Sequence, residues 1–165
     1  MQPEASSERM DAVQPHPLAE LLDCPPTVGS LLNASASCVD YDIGDVIFHQ
    51  SASCRGLYVV VLGQYLRKTE RIETRLTLGP ARPGDLVELA AALGDGRHTY
   101  SLIAQTPGSV LFLPIEALRE AFQSYPPLRM QLLAELAREV SRAYNVCCFG
   151  RPVNSRRRGA KTTTP

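Results

Sequence analysis

The hydrophobic pattern changes character three times along the chain. Residues 1–16 are polar and proline-bearing and are expected to be a disordered tail. Pro17–Asp23 reads as a short helix with proline at an early helical position, and Pro25-Pro26 ends it. Thr27–Asn33 supplies one or two further helical turns. From Cys38 the rhythm becomes one of short apolar runs separated by glycine: Cys38–Ile43, Val46–His49, Leu57–Leu62, Gln64–Thr69, Arg75–Leu78, Tyr100–Gln105 and Val110–Leu113. Short strands at a spacing near ten residues predict a small antiparallel barrel or sandwich. The run Tyr58-Val59-Val60-Val61-Leu62 is continuous and β-branched, which predicts a strand buried on both faces.

After Pro114 the period becomes helical. Ile115–Ser124 places Ile115, Leu118 and Phe122 at spacings of three and four. A longer helix is expected from Pro127 to about Cys147. Its seam, Leu133, Leu136, Val140, Ala143 and Cys147, advances by 3, 4, 3, 4, the rhythm of a coiled coil. Leu128, Leu132 and Ala137 add a second apolar strip. Such a helix can pack on its own domain and on a second copy at once. The competing reading is one broad core-facing stripe.

Charge and composition narrow the classes. The 165 residues carry 17 basic and 17 acidic side chains, so the folded surface as a whole is no nucleic-acid footprint. No apolar run reaches the roughly 18 residues of a membrane span. The N-terminus lacks the apolar region of a secretory signal, so cytoplasmic residence is the expectation. Five cysteines, an odd number with no C-x-x-C pair, are expected to be free thiols. His16, His49 and His98 lie far apart and show no ligand spacing, so no metal site is expected. No nucleophile–base pattern, P-loop or metalloenzyme motif points to an enzyme.

Four local patterns, in order, resemble the cyclic-nucleotide-binding domain of Crp/Fnr-type bacterial regulators. They are Tyr41-Asp42-Ile43-Gly44-Asp45-Val46-Ile47-Phe48, Gly56-Leu57-Tyr58-Val59-Val60-Val61-Leu62-Gly63, Pro83-Gly84-Asp85, and Tyr125-Pro126 opening a leucine-rich helix. The resemblance covers about residues 18–147. It implies a mainly β fold with helices: a double-stranded β-helix (jelly roll or β-roll) with short N-terminal helices, over 17–126, and a long dimerisation helix over 127–149. It also implies a homodimer, with Leu133, Leu136, Val140, Ala143 and Cys147 at the interface, and a small-molecule effector, a cyclic nucleotide or a divergent one.

The resemblance places a phosphate-binding cassette at Leu86–Thr99, with Val87, Glu88, Leu89, Ala90, Arg97, His98 and Thr99 as candidate ligand contacts. Leu89–Leu93 is expected to form its helical turn. The family cassette reads glycine, glutamate, apolar residues, then proline-arginine. Counted back without gaps from Ala104, His98 stands at the arginine, Arg97 at the proline, Glu88 at the glycine and Leu89 at the carboxylate. A slip of one residue instead makes Glu88 the carboxylate and Arg97 the cation. In the first register Leu89 cannot accept a ribose hydroxyl, and His98 is a weaker phosphate partner than arginine. Ser51 also departs from the family, which has glycine there.

A regulator of this type follows its dimer helix with a winged helix-turn-helix of some 70 residues. Here 15 residues follow Gly150, with Arg151, Arg156, Arg157, Arg158 and Lys161 and no acid. They are expected to be a basic disordered tail over 150–165. DNA contact is expected only through a missing reader domain or weakly through this tail. Three functions stay open: an effector-sensing domain, a degenerate dimerisation module without ligand, and a redox or gas sensor with Cys24, Cys38, Cys54 or His98 as iron ligands.

Overall fold

The computed structural model describes residues 18–70 and 79–149. The expected tails and the expected strand Arg75–Leu78 lie outside those residues, as does the Cys147 side chain. The described elements are α1 (Leu18–Leu21), α2 (Pro26–Ser35), β1 (Ser37–Tyr41), β2 (Val46–Phe48), β3 (Gly56–Leu62), β4 (Tyr65–Lys68), β5 (Leu86–Val87), α3 (Leu89–Leu93), β6 (Ser101–Ala104), β7 (Gly108–Pro114), α4 (Ile115–Ser124) and α5 (Pro127–Phe149). One antiparallel sheet has the order β1-β7-β3-β5 and the other β2-β6-β4. Mainly β with helices, this is the expected jelly-roll architecture.

Strand alternation sorts the core into two halves. On β3, Leu57 and Val59 face the helices, while Val60 turns between the sheets; on β7, Leu111 and Leu113 face the helices and Val110 turns inward. The strand is therefore sandwiched on both faces through Val60, as its sequence predicts, whereas Leu62 at its end is 56% exposed. The half between the sheets joins Phe48, Tyr65, Val87, Tyr100 and Leu102. The other half joins the strands to Leu18, Leu22, Val28 and Leu32 of the N-terminal helices, Leu118 of α4, and Leu128 and Leu132 of α5.

Two turns of the same design bracket the barrel. Asp45 accepts the Asp42 N–H at 2.8 Å, and Asp85 accepts the Arg82 N–H at 2.9 Å. Each has glycine one position earlier, Gly44 at φ 90° and Gly84 at φ 91°. Gly44 and Asp45 exchange main-chain bonds with Ala104, and Gly84 and Asp85 do the same with Val60. The repeated Gly-Asp pair thus seats each turn on a central strand.

Passage from the two-residue β5 into the five-residue α3 depends on one reversal. Val87 is paired with Tyr58, and α3 begins two residues later. Glu88 between them has φ 71° and ψ 33°. This left-handed conformation costs a non-glycine residue roughly 1 kcal/mol. The alanine-rich run after it propagates the helix.

Candidate functional site

The cassette is held by a short ladder to the segment after β2. Ser51 N–H donates to the His98 carbonyl at 2.8 Å, His98 N–H to Ala52 at 2.9 Å, and Cys54 N–H to Gly96 at 2.7 Å. Ser51 itself has φ 68°. The ladder sets Ala52 opposite His98, Ser53 opposite Arg97 and Cys54 opposite Gly96, and the His98 ring is buried. That ring stacks on Phe48, with centroids 3.9 Å apart and planes 7° apart.

Glu88 and His98 are the buried polar residues among those described, at 2% and 4% exposure. Glu88 Oε2 accepts from His98 Nδ1 at 2.8 Å and from the Thr99 N–H at 3.1 Å; Oε1 accepts the Thr99 hydroxyl at 2.8 Å. A carboxylate taking three donors is acceptor-only, which assigns the His98 proton to Nδ1. Desolvation of this charge is offset by these bonds. The Glu88 carbonyl meanwhile accepts the Ala92 N–H at 2.9 Å, the first bond of α3.

The candidate contacts thus separate. Glu88, His98 and Thr99 meet in one network. Arg97 is exposed and donates to the Ser51 carbonyl at 3.2 Å. Ala90 is exposed, and Val87 is buried between the sheets. Leu89 is 1% exposed and packs into the helix-side core. The left-handed Glu88 backbone occupies a position that suits glycine, in keeping with the register that puts Leu89 at the carboxylate place.

A cleft of about 770 Å³ lies between the barrel and α5. Leu89 lines it, together with Arg67 of β4, Asp85, and Glu135, Glu139 and Arg142 of α5. Arg67 and Glu139 pair at 3.6 Å, and the Arg67 guanidinium lies 5.6 Å from the Tyr100 ring centre. Glu135 pairs with Arg138 at 2.8 Å and Arg142 at 3.1 Å. Burial pushes the Glu139 carboxyl up from its ordinary value, against the opposing pull of Arg67 and Arg142. Gln131 Oε1, on the same wall, is buried without a hydrogen-bond partner among the described residues. The cassette reading gave no signal for Arg67, Gln131 or Glu139. Arg67 is legible only as an inward-facing residue of an alternating strand.

On α5, Leu128 and Leu132 are in the core, Leu136 packs against it, and Ala143 is buried by the chain's own fold. Leu133 is half-buried. Met130, Val140 and Tyr144 are 65%, 56% and 62% exposed. No helix among the described residues is long and apolar enough to cross a membrane.

The fold and the cassette together define a cyclic-nucleotide-binding type of domain. The family model described as "Cyclic nucleotide-binding domain" matches residues 38–125, and the chain belongs to this family. Among solved structures it is similar to the catabolite activator protein of Thermus thermophilus: 26% identity, TM-score 0.64, covering 78% of this chain and 60% of that one. It is also similar to the N-terminal domain of a transcriptional regulator from Streptomyces coelicolor, at 25% identity and TM-score 0.57, covering 77% and 91%. The sensor domain of the transcriptional regulator DNR from Pseudomonas aeruginosa shares the fold at 22% identity and TM-score 0.63, covering 79% and 87%. No curated protein matches the chain.

Proposed function

We propose that this chain is the effector-sensing domain of a Crp/Fnr-type transcriptional regulator, signalling through paired α5 helices. The observation that carries the reading is the cleft between barrel and α5. It has the size of a small-molecule site. Its wall is the helix that would meet a second copy, so an effector there biases helix pairing. The orphaned Gln131 oxygen offers that effector an acceptor. The family likeness to regulator sensor domains supports the same role.

The effector in this reading is not an ordinary cyclic nucleotide. Leu89 brings no carboxylate to a ribose, and His98 and Thr99 are already spent on Glu88. The strip Met130, Leu133, Ala137, Val140 and Tyr144 again runs 3, 4, 3, 4 and points away from the barrel core at Leu128 and Leu132. It is the proposed dimer seam. Sedimentation velocity tests it: a dimer at micromolar concentration is expected, and a monomer overturns the signalling role. Thermal-shift measurements with cyclic AMP, cyclic GMP and cyclic dinucleotides are expected to give no stabilisation; a clear shift with any of them overturns the divergent-effector reading.

The internally satisfied Glu88 favours a second reading, a dimerisation module without effector. Native mass spectrometry after incubation with a small-metabolite extract separates the two. A retained small mass, lost when Ala134→Trp fills the cleft, supports the sensor; none supports the module.

A further inference from the structure

We propose that Cys54, Glu88 and His98 form a binding site for one divalent metal ion of the zinc class. One donor atom from each residue lies within 4.8 Å of the other two. Donors around a tetrahedral ion stand roughly 3.3–3.7 Å apart, given bonds of about 2.0–2.3 Å. A contraction of about 1 Å therefore closes the set. The three residue types are the thiolate, imidazole and carboxylate that zinc takes, and three protein ligands with one open position is an established coordination pattern for this ion. Sequence spacing pointed away from a metal because the ligands are 34 and 10 residues apart; the Ser51–Cys54 ladder to Gly96 and His98 is what joins them.

The surroundings are those of a supported site. Phe48 fixes the plane of the His98 ring, and Thr99 holds the Glu88 carboxylate from two sides. Outer partners of this kind orient metal ligands. The Cys54 thiol sits 3.0 Å from the Gly56 carbonyl, its metal-free partner. A groove of about 370 Å³ reaches the site at Cys54, the ligand of the three that lines it. Charge also closes. Binding exchanges the Cys54 thiol proton for the ion, and the +2 charge meets one thiolate and one carboxylate beside a neutral imidazole, so the buried site is neutral.

The test uses the full reduced chain, freed of metal by chelation. Titration with Co²⁺ is expected to produce a thiolate-to-cobalt charge-transfer band saturating at one ion per chain, and Zn²⁺ to abolish it. Zn²⁺ should raise the melting temperature. Because loss of an outer partner alone typically costs 10–100-fold in metal affinity, Cys54→Ser is expected to weaken Zn²⁺ binding by more than about 100-fold and remove the cobalt band, with the circular dichroism of the fold kept. His98→Gln should do the same. Cys38→Ser, at an exposed thiol, should retain both. Absence of the band in the wild-type chain, or its survival in Cys54→Ser, overturns the proposal; the Cys54 variant decides alone if the His98 variant does not fold.

Discussion

His98 Nδ1 lies 2.8 Å from Glu88 Oε2, and both side chains are sealed from solvent. Removing one partner of such a hydrogen bond leaves the other buried polar group short of a bond, at a cost of about 1–3 kcal/mol and more for a charged group. His98→Ala also forfeits the stack on Phe48. The expected result is a loss of about 3 kcal/mol or more in urea unfolding. Glu88→Gln with His98→Ala should lose less than the sum of the two single changes, because both act on the same hydrogen bond. Additive losses would show that the pair does not act as a unit.

Leu89→Glu places a carboxylate at the position that the ungapped register assigns to the family's. Leu89 is 1% exposed among apolar side chains, so that carboxylate would be desolvated without a donor. The variant is expected to be destabilised by several kcal/mol, at roughly the cost of a buried unpaired polar group, without gaining affinity for cyclic AMP. Calorimetric titration with cyclic AMP checks the second half; measurable binding would mean that the carboxylate reaches a ligand.

Ser51 holds φ 68° on an exposed turn. Glycine adopts that conformation without the Cβ penalty, so Ser51→Gly is expected to raise stability by up to about 1 kcal/mol. A lower melting temperature would contradict it.

The pH dependence of stability should carry a mark from Glu139. Its carboxyl is raised above the ordinary 4.5 by burial, with Arg67 and Arg142 pulling the other way. The folded state therefore keeps its proton to higher pH than the unfolded chain does. The contribution is fully present below 4.5 and is lost as pH rises through the folded value. Between about pH 4 and pH 7, the wild type minus Glu139→Gln difference in urea midpoint should fall with pH. A difference that rises would mean that the Arg67 pair outweighs burial.

Charge placed on α5 should act differently by face. Leu136→Asp strikes a residue packed on the core and should lower unfolding stability whatever the oligomeric state. Val140→Asp strikes an exposed position and should dissociate the proposed dimer with little loss of secondary structure. Sedimentation and circular dichroism on the two variants read the contrast; equal effects on both would collapse the distinction between faces.

Much of the fold is legible along the chain because its elements are local. Ile115–Ser124 forms a helix with the bounds that spacing predicts, and Leu89–Leu93 forms the helical turn that the resemblance implies. β5 was not legible: Leu86 and Val87 are two residues that become a strand only by pairing with β3. The division of α5 into faces was half legible. Heptad spacing finds Leu133 and Val140, but Leu136 packs on the core and Ala143 is buried within the chain, and no single helix encodes where its barrel lies. The resemblance singled out Glu88, Leu89 and His98 through two alternative registers. Their consequence could not, because the Glu88–His98–Thr99 network is made by a reversal at Glu88 and a ladder to Ser51–Cys54.

Glu88 does two jobs with two ends of one residue. Its carbonyl receives Ala92 and so starts α3, while its carboxylate grips Thr99 at the mouth of β6. The backbone between them is wound to φ 71°, so one residue joins the buried carboxylate network directly to the root of α3. α3 is in contact with α5. The buried Glu88 carboxylate and the proposed signalling helix are thus joined through a single five-residue helix.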